Sequence, residues 1–234
     1  STALYHYLTF LTTPAPNTLF QGISKLEPGF LMTVDERGNI RKEQYWNVLD
    51  SVNNTPRKPD GYYEERLSEL LSESISLRMM SDVPFGVFLS GGLDSSTNVA
   101  IMDSLMEGPV STFTVGFKGY EEQGELEYAR QIAGEFNTNH HEVMIDHKDL
   151  LDCLPGLIYH QDEPLADPVC VPLYFLSKLA RDSGVPVIQM GEGADELFGG
   201  YEHYLSVLGV YRGWRQFAKL PGIAPGRAGA STFS

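Results

Sequence analysis

Crosslinking capacity is nearly absent: 234 residues hold two cysteines, Cys153 and Cys170, with no CxxC pair and no cysteine–histidine pairing at zinc spacing. A disulfide framework is excluded, and two free thiols in a reducing compartment is the expectation. Long apolar runs are missing too, since none approaches the ~18–20 residues of a bilayer-spanning helix. The first ten residues lack the basic stretch and apolar block of a secretory signal. Positive charge is scarce, with 17 Lys and Arg against 31 Asp and Glu and a net charge of −14. Nucleic-acid surfaces work through Lys and Arg that displace condensed counterions, so this balance argues against them. It equally disfavours anionic membranes. The expectation is a soluble, cytoplasmic protein with no nucleic-acid or membrane partner. Any phosphate would be held at a local site by backbone amides and a metal. Asn53-Asn54-Thr55 matches a glycosylation acceptor but, without a secretory signal, is read as chance.

What is present is a globular balance of 42% apolar and 21% charged residues, enough for one large domain or two modest ones. The chain changes character near residues 50–60. Before it, Phe30-Leu31-Met32-Thr33-Val34, the turn Asp35-Glu36-Arg37-Gly38-Asn39, and the stretch 40–46 read as a β-hairpin. Two strands are marginal alone, so residues 1–49 read as the edge of a larger sheet. Residues 50–60, polar with two prolines, read as a linker. A helix is predicted over 62–80, where Leu67, Leu70, Leu71 and Ile75 recur at helical spacing among glutamates.

From residue 83 the pattern alternates. Strands are predicted at 86–89, 110–117, 141–145 and 185–190, and helices at 94–106, 121–136, 147–160, 172–182 and from 195 onward. Such alternation favours βαβ units and a parallel sheet covered on both faces, which makes the fold class α/β. Ligands in such sheets gather at the carboxyl ends of the strands. The glycine- and proline-rich tail from Pro221 carries no core pattern.

The most informative segment is Ser90-Gly91-Gly92-Leu93-Asp94-Ser95-Ser96, between a predicted buried strand and a predicted helix. Adjacent glycines allow positive φ and let a phosphate approach the backbone. Amides at the helix start, with the positive end of its dipole, favour an anion there. Ser90, Ser95 and Ser96 add hydroxyls. This is not a Walker A loop, because a carboxylate, Asp94, stands where that motif carries lysine. A carboxylate beside polyphosphate is repulsive unless a cation lies between them, which points to Mg2+ on Asp94. An ordinary strand-to-helix turn capped by Asp and Ser is the bland alternative.

A second cluster, Gly191-Glu192-Gly193-Ala194-Asp195-Glu196, follows the last predicted strand. Its glycines permit a loop close to a ligand, and Asp195 is placed to be a second carboxylate on the metal. Glu196 reads better as a helix-start carboxylate that complements the dipole. His140-His141-Glu142 does not read as a metal site, since neighbouring residues on a strand point to opposite faces. Tyr174, Phe175, Tyr201 and Tyr204 lie on helical patterns and read as packing residues.

The loop at 90–96 resembles the pyrophosphate loop of the PP-loop ATP pyrophosphatase superfamily. Gly191-Glu192-Gly193-Ala194-Asp195-Glu196-Leu197-Phe198-Gly199-Gly200-Tyr201 is similar to the second signature of glutamine-dependent asparagine synthetases. Asp162-Glu163-Pro164 and Ala166-Asp167-Pro168 also look like bacterial members, so the resemblance covers about residues 57–210. Phe20-Gln21-Gly22-Ile23-Ser24-Lys25-Leu26-Glu27-Pro28-Gly29 is similar to the closing strands of the family's glutaminase domain. The family's glutaminase uses an amino-terminal cysteine, and Ser1 stands first here, so no glutaminase nucleophile is expected in this chain.

The resemblance implies an adenine nucleotide alpha hydrolase-like (PP-loop) domain at 61–234, cut short at its C-terminus. A short β remnant of a glutaminase domain at 1–49 and a linker at 50–60 precede it. It implies ATP and Mg2+ as cofactors, and aspartate and ammonia or glutamine as substrates; a homodimer is compatible with it. Ser90, Gly91, Gly92, Asp94, Ser95 and Ser96 would hold ATP and pyrophosphate, and Leu89, Val115, Met190 and Gly191 would contact adenosine. Asp94 and Asp195 would hold the metal, and Glu192 would orient the acyl-adenylate or take a proton from ammonia. Two alternatives stay open: an amide-forming synthetase of the same scaffold, such as a β-lactam synthetase, and a non-catalytic nucleotide-binding fragment.

Overall fold

A computed structural model describes residues 2–51, 56–120, 125–164 and 166–217. By its contacts the chain separates into two compact units, residues 1–189 and 190–234. The first unit is built on four parallel strands, β3 (Phe85–Phe88), β4 (Ser111–Phe117), β5 (Asn139–Ile145) and β6 (Val187–Gln189), in the order β5-β4-β3-β6. The order grows outward in both directions from β3, so the chain turn leaving β3 opens at the centre of the sheet's ligand edge.

Helices cover both faces. On one, α2 (Asp60–Arg78), α3 (Leu93–Leu105) and α4 (Glu125–Glu135) supply Ile75, Val99, Met102, Ala129 and Ala133 to a core with Val87, Leu89 and Val110. On the other, α6 (Cys170–Asp182) sets Leu176 and Ala180 against Phe113. Beside it, α5 (His147–Gln161) and α6 bury Cys153, Leu157 and Val171 around Ile145. The predicted doubly covered parallel sheet is thus present, with the middle of β3 and most of β4 buried. Polar side chains on β4 and β5 pair across the sheet, while Gln189 Nε2 in β6 is buried without a hydrogen-bond partner. His140 Nδ1 meets Thr112 Oγ1 at 2.8 Å and its Nε2 lies 3.2 Å from Glu142, while Arg130 grips Glu142 with two hydrogen bonds of 2.8 Å. His141, on the opposite face, stacks on Phe113.

Residues 2–49 begin with a helix, α1 (Thr2–Phe10), where only extended segments were expected. The run Thr-Ala-Leu-Tyr-His-Tyr-Leu-Thr-Phe contains no glycine or proline to interrupt a helix, and the first proline comes at 14. The hairpin is as predicted: β1 (Phe30–Val34) pairs with β2 (Ile40–Gln44), and Asp35 Oδ1 accepts from Arg37 N and Asn39 N to close the turn. In the second unit the helix expected from 195 onward is two, α7 (Ala194–Phe198) and α8 (Glu202–Phe217), because Gly199 takes φ +75° and ends the first. Residues 121–124, part of the helix predicted at 121–136, and the tail from 221 lie outside the described residues.

The sheet edge carries a polar lock. Asp146 caps α5, accepting from Lys148 N at 2.9 Å and Asp149 N at 3.0 Å, while Asp149 Oδ2 accepts from Asp146 N. Lys118, just after β4, donates to Asp146 Oδ2 at 2.9 Å. That ammonium and the two amides hold the Asp146 carboxyl down at about 2. A carboxyl whose folded pKa lies below its unfolded value of about 3.9 stabilises the fold fully above that value and loses the contribution as pH falls toward the folded one. Asp146→Asn is therefore expected to lower the Tm by a few degrees at pH 6, with the gap to the unaltered protein closing between about pH 4 and pH 2. Thermal scans by circular dichroism across that window test it, and a gap independent of pH refutes it.

Candidate active site

At the carboxyl end of β3 the backbone is pinned before it turns. Leu89 N donates to Phe113 O at 2.9 Å, and Leu89 O accepts from Thr114 Oγ1 at 2.5 Å. Ser90 N then donates to Ser95 Oγ at 3.2 Å, and Gly92 N to Ser90 Oγ at 3.2 Å. Gly91 takes φ +78°, the left-handed region that side chains disfavour. A Cβ there would lie 2.6 Å from Tyr128 Cβ and 2.7 Å from Ala129 N, so the turn is seated directly on the backbone of α4. Both the φ and the close approach require glycine.

The first hydrogen bond leaving the turn for the helix is Ser96 N to Gly92 O, at 3.0 Å. The amides of Leu93, Asp94 and Ser95 precede it and have no intrahelical acceptor. Gly92, the N-cap, has no side chain to cover them. Ser96 Oγ is buried without a hydrogen-bond partner. Among the described residues the Asp94 carboxylate also has no hydrogen-bond or ion-pair partner, although neighbouring acids at the sheet have theirs. Unfilled amides, an orphaned hydroxyl and a bare carboxylate at one helix start fit a phosphate group together with a hard cation.

The structure brings Leu89, Ser90, Gly91, Gly92, Asp94, Ser95 and Ser96 to one strand–turn–helix junction. Leu89, 2% exposed, puts its side chain in the core and has both backbone groups engaged. Val115 stands one strand over, lining a cleft of about 560 Å³ with Lys118, Leu126, Ile145, Asp146 and Pro172. Sequence reasoning missed the cleft and the seat formed by Tyr128 and Ala129, for which an open helical pattern gives no signal.

Met190, Gly191, Glu192 and Asp195 belong to the second unit. There Gly193 takes φ +87° and caps α7, and Asp195 O accepts from both Gly199 N and Gly200 N. A Cβ on Gly200 would collide with the Asp195 carboxylate, so that glycine makes room for it. Glu196 accepts from the Tyr201 hydroxyl at 3.0 Å, which pushes the phenol up to about 12. Glu192 is exposed.

A parallel α/β sheet whose central strand feeds a glycine turn and an open helix start defines a protein of the phosphate-binding α/β class. The family model of asparagine synthase matches residues 66–233, and the chain belongs to that family. It is 35% identical over 94% of its length to asparagine synthetase [glutamine-hydrolyzing] 1 of Bacillus subtilis, covering 33% of that protein. It is 36% identical over 87% of its length to a putative asparagine synthetase [glutamine-hydrolyzing] 2 of Methanocaldococcus jannaschii, covering 38% of it. The chain thus spans about a third of the length of these curated relatives. Among solved structures, an NMN synthetase from Francisella tularensis aligns at a TM-score of 0.39 and 18% identity, over 62% of this chain and 59% of that one. An ammonia-dependent NAD synthetase from Campylobacter jejuni aligns at 0.41 and 16%, over 58% and 60%.

Gly91→Ala tests the seat. It combines a left-handed φ with a collision against helix backbone, and is expected to cost about 2–4 kcal/mol, as strained backbone positions and overpacked sites do. Urea unfolding of the 234-residue chain measures it, and a cost below about 1 kcal/mol refutes the requirement.

Proposed function

We propose that this chain carries the ATP-dependent part of a glutamine-dependent asparagine synthetase. In this reading ATP activates the side-chain carboxylate of aspartate as an acyl-adenylate and releases pyrophosphate. Ammonia, drawn from glutamine by the N-terminal part of the complete enzyme, then displaces AMP. Residues 1–49 are the closing part of that glutaminase domain, 50–60 the linker, and 61–234 the synthetase domain. The observation that carries the reading is the junction at 90–96, with its unfilled first-turn amides and its orphaned Ser96 hydroxyl. The names of the relatives favour aspartate as the acid over a β-lactam precursor.

The chemistry follows from the residues. The amides of Leu93, Asp94 and Ser95, with the hydroxyls of Ser90, Ser95 and Ser96, hold the outgoing diphosphate. Charge growing on the leaving group therefore meets donors already oriented, which is where preorganised electrostatics lowers a barrier. Asp94 and Asp195 would hold Mg2+, which when bound neutralises phosphate charge as a Lewis acid. Val115 would shape the adenosine side, with the Met190 and Gly191 backbone, while Leu89, buried and bonded to β4, fixes the point from which the loop leaves. Glu192 would orient the activated acid or take the proton from incoming ammonia.

Isothermal titration of Mg·ATP tests the loop. Asp94→Asn is expected to weaken binding at least ~10-fold and to flatten its dependence on Mg2+. Glu192→Gln is expected to leave that binding intact while lowering aspartate-dependent pyrophosphate release about 10²–10⁴-fold. Unchanged nucleotide affinity and unchanged Mg2+ dependence in folded Asp94→Asn refute the assignment.

A further inference from the structure

Thr13 is 2% exposed, a buried hydroxyl in a segment whose neighbours are mostly solvent-facing. Its hydroxyl donates to Glu163 Oε1. Lys25 Nζ completes the cluster: it donates to Thr13 O at 2.7 Å and Thr13 Oγ1 at 3.0 Å, and lies 3.1 Å from Glu163 Oε1. The backbone joins in, with Ala166 N donating to Leu11 O at 3.1 Å. The Thr13 hydroxyl, and after it the Lys25 ammonium, hold the Glu163 carboxyl below the usual glutamate range, so it is charged at neutral pH. Leu11, just after α1, and Asp162, at the C-terminal end of α5, both take positive φ, 60° and 56°.

The position of the cluster gives it consequence. The segment on its far side, Asp162-Glu163-Pro164 and Ala166-Asp167-Pro168, runs directly into α6. Pro172, in the first turn of α6, lines the cleft that holds Val115. A tie at Glu163 therefore fixes the wall of that cleft to residues 11–25. None of the phosphate-loop chemistry uses Thr13, Lys25 or Glu163.

We propose that Lys25, acting through Thr13 and Glu163, is a positioning residue that holds the N-terminal segment against the approach to α6. Delivery of nitrogen from the N-terminal part to the synthetase site depends on this hold. The inference rests on the synthetase reading above. A desolvated hydroxyl bridging a cation and a carboxylate is specific in geometry, because removing the ammonium leaves Thr13 O without its donor and Glu163 without its counter-charge.

The test compares two nitrogen sources in the complete enzyme, with saturating Mg·ATP and aspartate. Lys25→Met is expected to lower glutamine-supported asparagine formation about tenfold or more, as small misplacements do, while ammonium-supported formation stays within about twofold. Lys25→Arg, which keeps the charge, should restore the ratio, and Glu163→Gln should behave like Lys25→Met. Equal loss of both rates, or no change in their ratio in a folded variant, overturns the proposal. Amide exchange in the 234-residue chain reads the hold directly: Ala166 N–H should exchange about tenfold faster or more in Lys25→Met, with Leu89 N–H as slow as before. Unchanged exchange at Ala166 overturns the hold. Absence of ammonium-supported synthesis in the unaltered enzyme overturns the synthetase reading instead, and exchange at Ala166 still decides the hold.

Discussion

The seating of Gly91 on the backbone of α4 is the constraint on which the site depends. Leu89 is tied on both sides to β4, so the chain leaves β3 from a fixed point. It must then reverse within three residues to bring Val99 and Met102 of α3 back over Val87 and Leu89. A left-handed residue in contact with Ala129 N does this in the space available, and only hydrogen fits there as a side chain. The open first turn of α3 is a consequence. Once Ser90 and Ser95 have bonded to each other and to the turn, no side chain remains to cap Leu93, Asp94 and Ser95. The amides are left unfilled by the same packing that orients them.

Charge pairing separates the acids that brace the fold from Asp94. Glu142 is held by Arg130, Asp146 by Lys118, and Glu163 by the Thr13 hydroxyl and then Lys25, and each of these three carboxyls sits below its ordinary pKa for that reason. Asp94 stands beside an anion-favouring helix start with no cation among the described residues. In a chain with net charge −14, basic side chains are few, and those near the sheet are already committed to acids. On the proposed reading, phosphate affinity has to come from backbone dipoles and an added cation.

Period and glycine placement made the sheet readable from the sequence. Phe-Gly-Val-Phe, Ser-Thr-Phe-Thr-Val-Gly-Phe and the alternating helices are legible because strands buried on both faces are short runs rich in aromatic and β-branched residues. The junction at 90–96 was legible because only glycine serves at 91. Three features were not. Residues 2–10 form a helix whose apolar side chains are exposed, so no buried stripe marked it. The helix expected from 195 onward ends at Gly199-Gly200, because αL capping there outweighs the apolar pattern that continues beyond. The Thr13–Glu163 contact joins residues 150 apart in sequence, and no local pattern encodes such a pairing.

Lys118 shows how the ligand edge divides its work. It lies at the rim of the cleft that Val115 lines, one strand from the phosphate loop, and by position could be taken for a phosphate ligand. Its ammonium instead donates to Asp146 at 2.9 Å and to Asp149 at 3.4 Å, so it is committed to the two carboxylates of the α5 capping box. A cleft walled by Val115, Leu126, Ile145 and Pro172, with Glu125 and Asp146 against the single cation Lys118, is a poor place for a polyphosphate. The two strand ends thus differ in what they leave unpaired: after β3 the first-turn amides of α3 are unfilled, and after β4 the ammonium of Lys118 is taken up by Asp146 and Asp149.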